Sequence, residues 1–279
     1  MAKRKKKAAS RVPSPGPAPA RARSALLYAG GALAAFVLLL VAGGAILLAS
    51  GGGDDATPAS GDKTAVIVDQ LSLTQPNPDF VSQAREILAQ GGYAVDYFKG
   101  EDVTVDFYRT LPSRGYDLVL MRVHAGITTE VSAETGEKVG TEYVSLFTGE
   151  PYDATKYSSE QLNRLGKATY YEGGEPLFGI GPEFVESSME GDFGGALLVM
   201  MGCDGLRSQR TGQAFLDRGA GAFVSWTKPV SGPHTDDATA KLLRHLLLES
   251  MTLEDAVSQT ASEVGPDPNY DGELRVLTG

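Results

Sequence analysis

The chain of 279 residues has one cysteine, one tryptophan and three histidines. A lone cysteine excludes an intramolecular disulfide and any disulfide-built scaffold. No HExxH, GxGxxG, P-loop or GxSxG pattern occurs, which removes the common zinc-protease, nucleotide and serine-hydrolase readings. No 20–50-residue repeat occurs either, so a solenoid or propeller is excluded. The most informative absence is negative charge at the N-terminus. No Asp or Glu precedes position 54, whereas residues 1–23 hold 8 of the 25 basic residues. The 17 remaining Lys and Arg share the rest of the chain with all 35 acids, a formal −18. The overall charge of −10 is therefore the sum of two unlike objects.

Between them runs Ala25–Ala49, 25 residues without a charge. A helix rises about 1.5 Å per residue, so roughly 20 apolar residues span a bilayer core. The run exceeds the 7–15 apolar residues usual in a cleaved signal peptide. It predicts an uncleaved signal anchor, preceded by a basic cytoplasmic arm over 1–24. By the positive-inside rule the N-terminus is cytoplasmic and the rest lies outside the cytoplasm at the cell membrane. Residues 50–63 are rich in Gly, Ser, Pro and Asp and read as a flexible linker. The acidic outer part argues against a nucleic-acid partner. Residues 64–279 suffice for one domain with a sizeable core.

Within that domain, Thr64–Val68, Tyr93–Phe98, Tyr116–Val123, Ala196–Met201 and Ala222–Trp226 read as strands, with Glu273–Leu277 as a final one. Helical spacing is expected over Asp79–Gln90 (capped by Asp79), Val103–Leu111, Thr211–Arg218, Thr235–Glu249 (capped by Thr235) and Leu253–Glu263. This alternation predicts an α/β fold with a mostly parallel sheet, covered on both faces in a three-layer α-β-α sandwich. Residues 127–190 break the alternation and read as an insertion. It would hold a hairpin around Glu134–Glu137, a helix start at Ser158–Leu162 and an irregular stretch over 168–190.

Two side chains with chemistry stand at predicted strand ends: His124 after Tyr116–Val123, and Cys203 after Ala196–Met201. Ligands of open α/β sheets bind at the carboxyl ends of strands, so the two can meet in one crevice. An imidazole beside a thiol can take its proton. Gly126, Gly202 and Gly205 flank them and permit close backbone approach. The alternative reading of Cys203 is a small buried hydrophobe. His234 lies beside Asp236 and Asp237 at a predicted helix start and reads as solvated capping rather than a metal ligand. His245 sits within the Leu242–Leu247 stripe and reads as structural. No metal and no cofactor is expected.

The stretch from Ala196 to Val257 resembles the C-terminal half of caspase-fold cysteine peptidases. The closest pattern is the CHAT subgroup, with clostripain, gingipain and legumain more distant. The likeness rests on Gly202-Cys203-Asp204-Gly205, Ala214-Phe215-Leu216, Gly219-Ala220, Ser225-Trp226, Pro229 and Asp237-Ala238-Thr239. It implies a caspase-like fold and an endopeptidase acting on peptide or protein. Cys203 would be the nucleophile, forming a thioester, and His124 would assist the leaving group. Gly126, or Ala125, and Cys203 would give oxyanion N–H groups. Asp69 would orient the histidine. Asp204, Trp226 and Thr227 would border the substrate, with His234 nearby. The family has His-Gly where this chain has His124-Ala125-Gly126, and its insertion is shorter. An inactive caspase-fold module that binds a peptide or protein, and a flavodoxin-like sensor with an accidental cysteine, are the competing readings.

Overall fold

A computed structural model describes residues 63–132 and 134–279. The basic arm, the expected anchor at 25–49 and nearly all of the expected 50–63 linker lie outside the described residues. Among the described residues, no helix is long and apolar enough to cross a membrane.

Six strands form the main sheet: β1 (Lys63–Asp69), β2 (Tyr93–Lys99), β3 (Leu118–Arg122), β8 (Leu197–Met200), β9 (Ala222–Trp226) and β10 (Leu274–Thr278). Their order is β10-β9-β8-β3-β1-β2. All neighbours are parallel except β9 and β10. The inner strands read as unbroken apolar runs because both faces are covered. Ala65, Ile67, Leu118, Leu120 and Val199 face α1 (Pro78–Gln90), α5 (Gly232–Leu247) and α6 (Leu253–Val264). Val66, Val68, Val119, Met121 and Leu198 face α2 (Val105–Thr110), α3 (Pro182–Ser187) and α4 (Gln209–Asp217). The expected α/β class and mostly parallel sheet are thus present.

Two helix starts differ from expectation. The cap of α1 is Asn77, whose Oδ1 accepts the Phe80 N–H, because Pro78 takes the first helical position and Asp79 falls inside the first turn. Helix α5 begins three residues before Thr235, with Pro233 in its first turn. Thr235 is therefore buried inside it, where its hydroxyl accepts from the Trp226 indole and donates to the Met201 carbonyl.

The 127–190 insertion is more regular than its sequence suggests. It supplies most of a second, antiparallel sheet of β4 (Ala125–Val131), β5 (Lys138–Pro151), β6 (Leu165–Ala168) and β7 (Leu177–Ile180), ordered β4-β5-β7-β6. The expected hairpin is β4–β5. Residues 158–162 form turns rather than a helix. Val144, Leu146, Phe178 and Ile180 of this sheet join the core beneath α2–α4. The apparent irregularity came from short strands whose alternation is blurred by Gly166, Gly179 and Gly181.

One buried ion cluster joins the sheet to its helices. Arg122, 1% exposed, donates from Nη1 to Asp69 (2.9 Å), and from Nε and Nη2 to the two oxygens of Asp236 (2.8 and 2.9 Å). Nη2 also reaches the Gln75 carbonyl, and Asn77 Nδ2 donates to Asp236. Replacing Arg122 by Met strands two buried carboxylates, which costs ~3–5 kcal/mol. The single tryptophan, Trp226, is buried and reports the loss by fluorescence in urea unfolding. A loss under ~1 kcal/mol would mean that the aspartates find other partners.

Candidate active site

His124 stands where the chain leaves the main sheet and enters the second one. Its main chain is held on both sides: the N–H donates to Gln70 Oε1 (3.0 Å), and the carbonyl accepts from the Phe147 N–H (2.9 Å). Its ring Nε2 hydrogen-bonds the Thr74 hydroxyl (2.8 Å). The Tyr170 and Phe147 rings pack against it, with centroids at 4.9 and 5.9 Å. Gln70 is fully buried, and its Nε2 donates to the Tyr170 hydroxyl (2.7 Å) and the Thr148 carbonyl. One side chain thus fixes both the backbone of His124 and the ring stacked on it. Burial, and secondarily the positive Arg122, lower the His124 pKa to about 4. The imidazole is neutral at physiological pH.

Cys203 lies in the turn after β8. Asp204 takes the left-handed conformation there (φ 59°), which Asp tolerates better than most residues. The turn can pack closely only because of its glycines. A Cβ on Gly202 would lie 2.5 Å from the Val123 carbonyl oxygen and 3.4 Å from Ala125 Cβ. The cysteine turn therefore rests directly on the backbone before and after His124. The thiol bonds to the backbone of Val230, with S–H toward the carbonyl (3.6 Å) and the Val230 N–H toward sulfur (3.5 Å). Burial raises the Cys203 pKa, and the charges of Asp204 and Asp267 add to the rise; the Val230 bond opposes it. At rest the pair is a neutral imidazole and a thiol, rather than an ion pair.

His124 and Cys203 line one cleft of about 420 Å³ at the carboxyl ends of β3 and β8. This is where an open parallel sheet places its ligand crevice. The Phe147 N–H to His124 carbonyl bond sets the phase of the β4–β5 ladder. Antiparallel pairs alternate between bonded and non-bonded, so Gly126–Ser145 is the next bonded pair. The Gly126 N–H is therefore committed to the sheet. Ala125 holds the non-bonded position and turns its N–H away from β5, on the side of the sheet order that has no further strand. Of the two N–H groups, the ladder thus leaves that of Ala125, not that of Gly126, free of β5.

The other expected site residues serve the framework. Asp69 does not reach His124; it is taken by Arg122 and by the Tyr97 hydroxyl (3.0 Å), so the ring partner is Thr74. Asp204 is buried and paired with Arg207 (3.4 Å). Trp226 is 1% exposed, its ring packed on His234. Thr227 pairs through its backbone and hydroxyl with Glu273. None of these three lines the cleft, whose wall is instead the next segment, Pro229–Pro233. His234 bonds the Gly265 carbonyl, and no metal-ligand cluster occurs among the described residues. His245 is buried and bonds Glu249, a structural role. Arg122, Gln70, Thr74 and Tyr170 escaped the sequence reading. Arg122 alone left a signal, a charge inside an apolar strand.

No protein-family model matches the chain, and no curated protein matches it.

Because Cys203 is the only cysteine, alkylation by iodoacetamide reads this thiol alone. Its raised pKa predicts a rate that keeps climbing past the ordinary thiol value of about 8.5. A plateau already between pH 5 and 7 would instead reveal a thiolate–imidazolium pair.

Proposed function

We propose that residues 64–279 are a caspase-fold cysteine endopeptidase, a three-layer α-β-α sandwich carrying a Cys203/His124 dyad. The observation that carries the reading is that these two residues, 79 positions apart and on the ends of separate strands, line the same cleft. The mostly parallel central sheet, with helices packed on both faces, is compatible with it.

In this mechanism the neutral imidazole takes the thiol proton as sulfur adds to the scissile carbonyl. Proton transfer and attack are coupled, since neither partner is charged at rest. The tetrahedral oxyanion is met by the N–H groups of Ala125 and Cys203. The imidazolium then gives its proton to the leaving amine, and a thioester remains on Cys203. Water, deprotonated by the same imidazole, hydrolyses it and regenerates the thiol. Gln70, Thr74 and Tyr170 hold the imidazole in place, which is the orienting work expected of Asp69.

A second reading, an inactive module that binds peptide in the same cleft, is favoured by one observation: the part-buried thiol is bonded to Val230 rather than ionised. The two separate in one experiment. Peptidyl acyloxymethyl ketones are expected to label the protein, with no label in Cys203→Ala and labelling slowed ~10²–10⁴-fold in His124→Ala. A folded protein that no member of the series labels would leave the binding module.

The proposed setting is a cell membrane, with residues 25–49 as a single-pass anchor and the catalytic domain outside the cytoplasm. Protease added to intact cells should then remove the domain and leave the basic arm protected. Protection of the domain would reverse the topology.

A further inference from the structure

We infer that the cleft beside Cys203 accepts an uncharged aliphatic side chain, of the size of leucine or methionine, at the residue whose carbonyl is attacked. This inference rests on the peptidase reading. The attacked carbonyl must sit against sulfur, so the side chain on its own α-carbon enters the space that opens beside Sγ. That space is walled by Leu71, Val123, Met201, Pro229, Val230 and Pro233. Among the described residues that line it, none is Asp, Glu, Lys or Arg.

Two polar side chains of the lining are already committed. Ser231 Oγ donates to Asp267 (2.6 Å). Thr235 Oγ1 donates to the Met201 carbonyl (3.1 Å) and accepts the Trp226 indole N–H (2.9 Å). The nearby acids cannot serve a cationic side chain. Asp267 is 1% exposed, and its two oxygens accept from Ser231, Asn269 and Tyr270. Asp236 is bound to Arg122 and Asn77, and Asp204 faces Arg207. Arg122 is likewise enclosed by Asp69 and Asp236, so an acidic side chain finds no free cation. A charged group would lose its water here and gain no counter-charge, whereas an aliphatic one gains apolar burial. The half-exposed Tyr270 and the exposed Gln75 remain at the mouth, where they can contact peptide backbone.

The test uses the full-length chain in detergent micelles. Peptidyl acyloxymethyl ketones that differ only at the reacting residue are compared by the rate of Cys203 thioether formation, in which the sulfur displaces the carboxylate. Leu and Met are expected to react at least about tenfold faster than Arg, Lys or Asp. In Pro233→Asp the ratio of Arg to Leu rates should rise several-fold. Position 233 is exposed and lies in the first turn of α5, where an acid is well tolerated. Fastest labelling by a charged member, or an unchanged ratio in Pro233→Asp, overturns the inference and leaves the peptidase standing. No labelling by any member, with Trp226 fluorescence native, removes the peptidase reading and the inference with it.

Discussion

The guanidinium of Arg122 is the contact on which the cleft is built. It stands at the end of β3, two residues before His124, and is enclosed by carboxylates from the end of β1 and the first turns of α5. A fourth bond, to the Gln75 carbonyl, anchors the loop that carries Thr74 to His124. Burying one cation with two anions is expensive in desolvation, and well-packed apolar side chains could give as much stability. Its consequence is geometric. The bidentate pairing with Asp236 fixes where α5 begins, and hence where Pro229–Pro233 crosses in front of the cysteine. Burial, and secondarily this same positive charge, keep the neighbouring imidazole unprotonated.

This arrangement sets the resting state of His124 and Cys203. A thiolate is stabilised by nearby cations or a helix N-terminus. Here the groups that bear on Cys203 electrostatically are acids, and Val230 supplies only a weak N–H bond. The cation that does lie close, Arg122, acts on the histidine instead. In the proposed peptidase, a base of low pKa is fully available at neutral pH but drives proton transfer weakly, which leaves reactivity to substrate closing the cleft and to the alignment of N–H donors. The packing of Gly202 against the Val123 carbonyl seats the cysteine turn beside the His124 segment. A side chain at 202 would push the cysteine turn away from that segment.

The second sheet explains why the histidine is so firmly held. β3 runs almost directly into β4, so His124 is shared between a parallel sheet and an antiparallel one. Its carbonyl is bonded to the antiparallel sheet through the Phe147 N–H, and its N–H to the Gln70 side chain just after β1. Gln70, next to Asp69 at the end of β1, then couples this junction to Tyr170 in the insertion. The insertion is therefore part of the site: it supplies Phe147 and Tyr170, the two rings that desolvate the imidazole.

Much of this architecture was legible in the chain itself, because apolar runs of five or six residues alternating with 3.6-periodic segments leave few alternatives to a covered parallel sheet. Strand ends are marked by where such runs stop, and His124 and Cys203 could be seen at two of them. Their common cleft followed from the rule for open sheets. What stayed hidden was every partner supplied by another segment. Thr74 and Tyr170 have no local pattern, since a hydrogen bond or ring contact across 46 or more residues leaves no periodicity. Asp69 looked like the orienting acid from its position alone, but a buried arginine is a stronger claim on a carboxylate than a neutral imidazole. The choice between the Gly126 and Ala125 N–H groups turned on the phase of a β-ladder, which depends on which strand pairs with which. Local sequence determines which segments form strand or helix and which faces are apolar, because those are short-range energies. Tertiary structure alone decided which charges pair, which N–H groups stay free and what walls the cleft, because those depend on residues that meet only after folding.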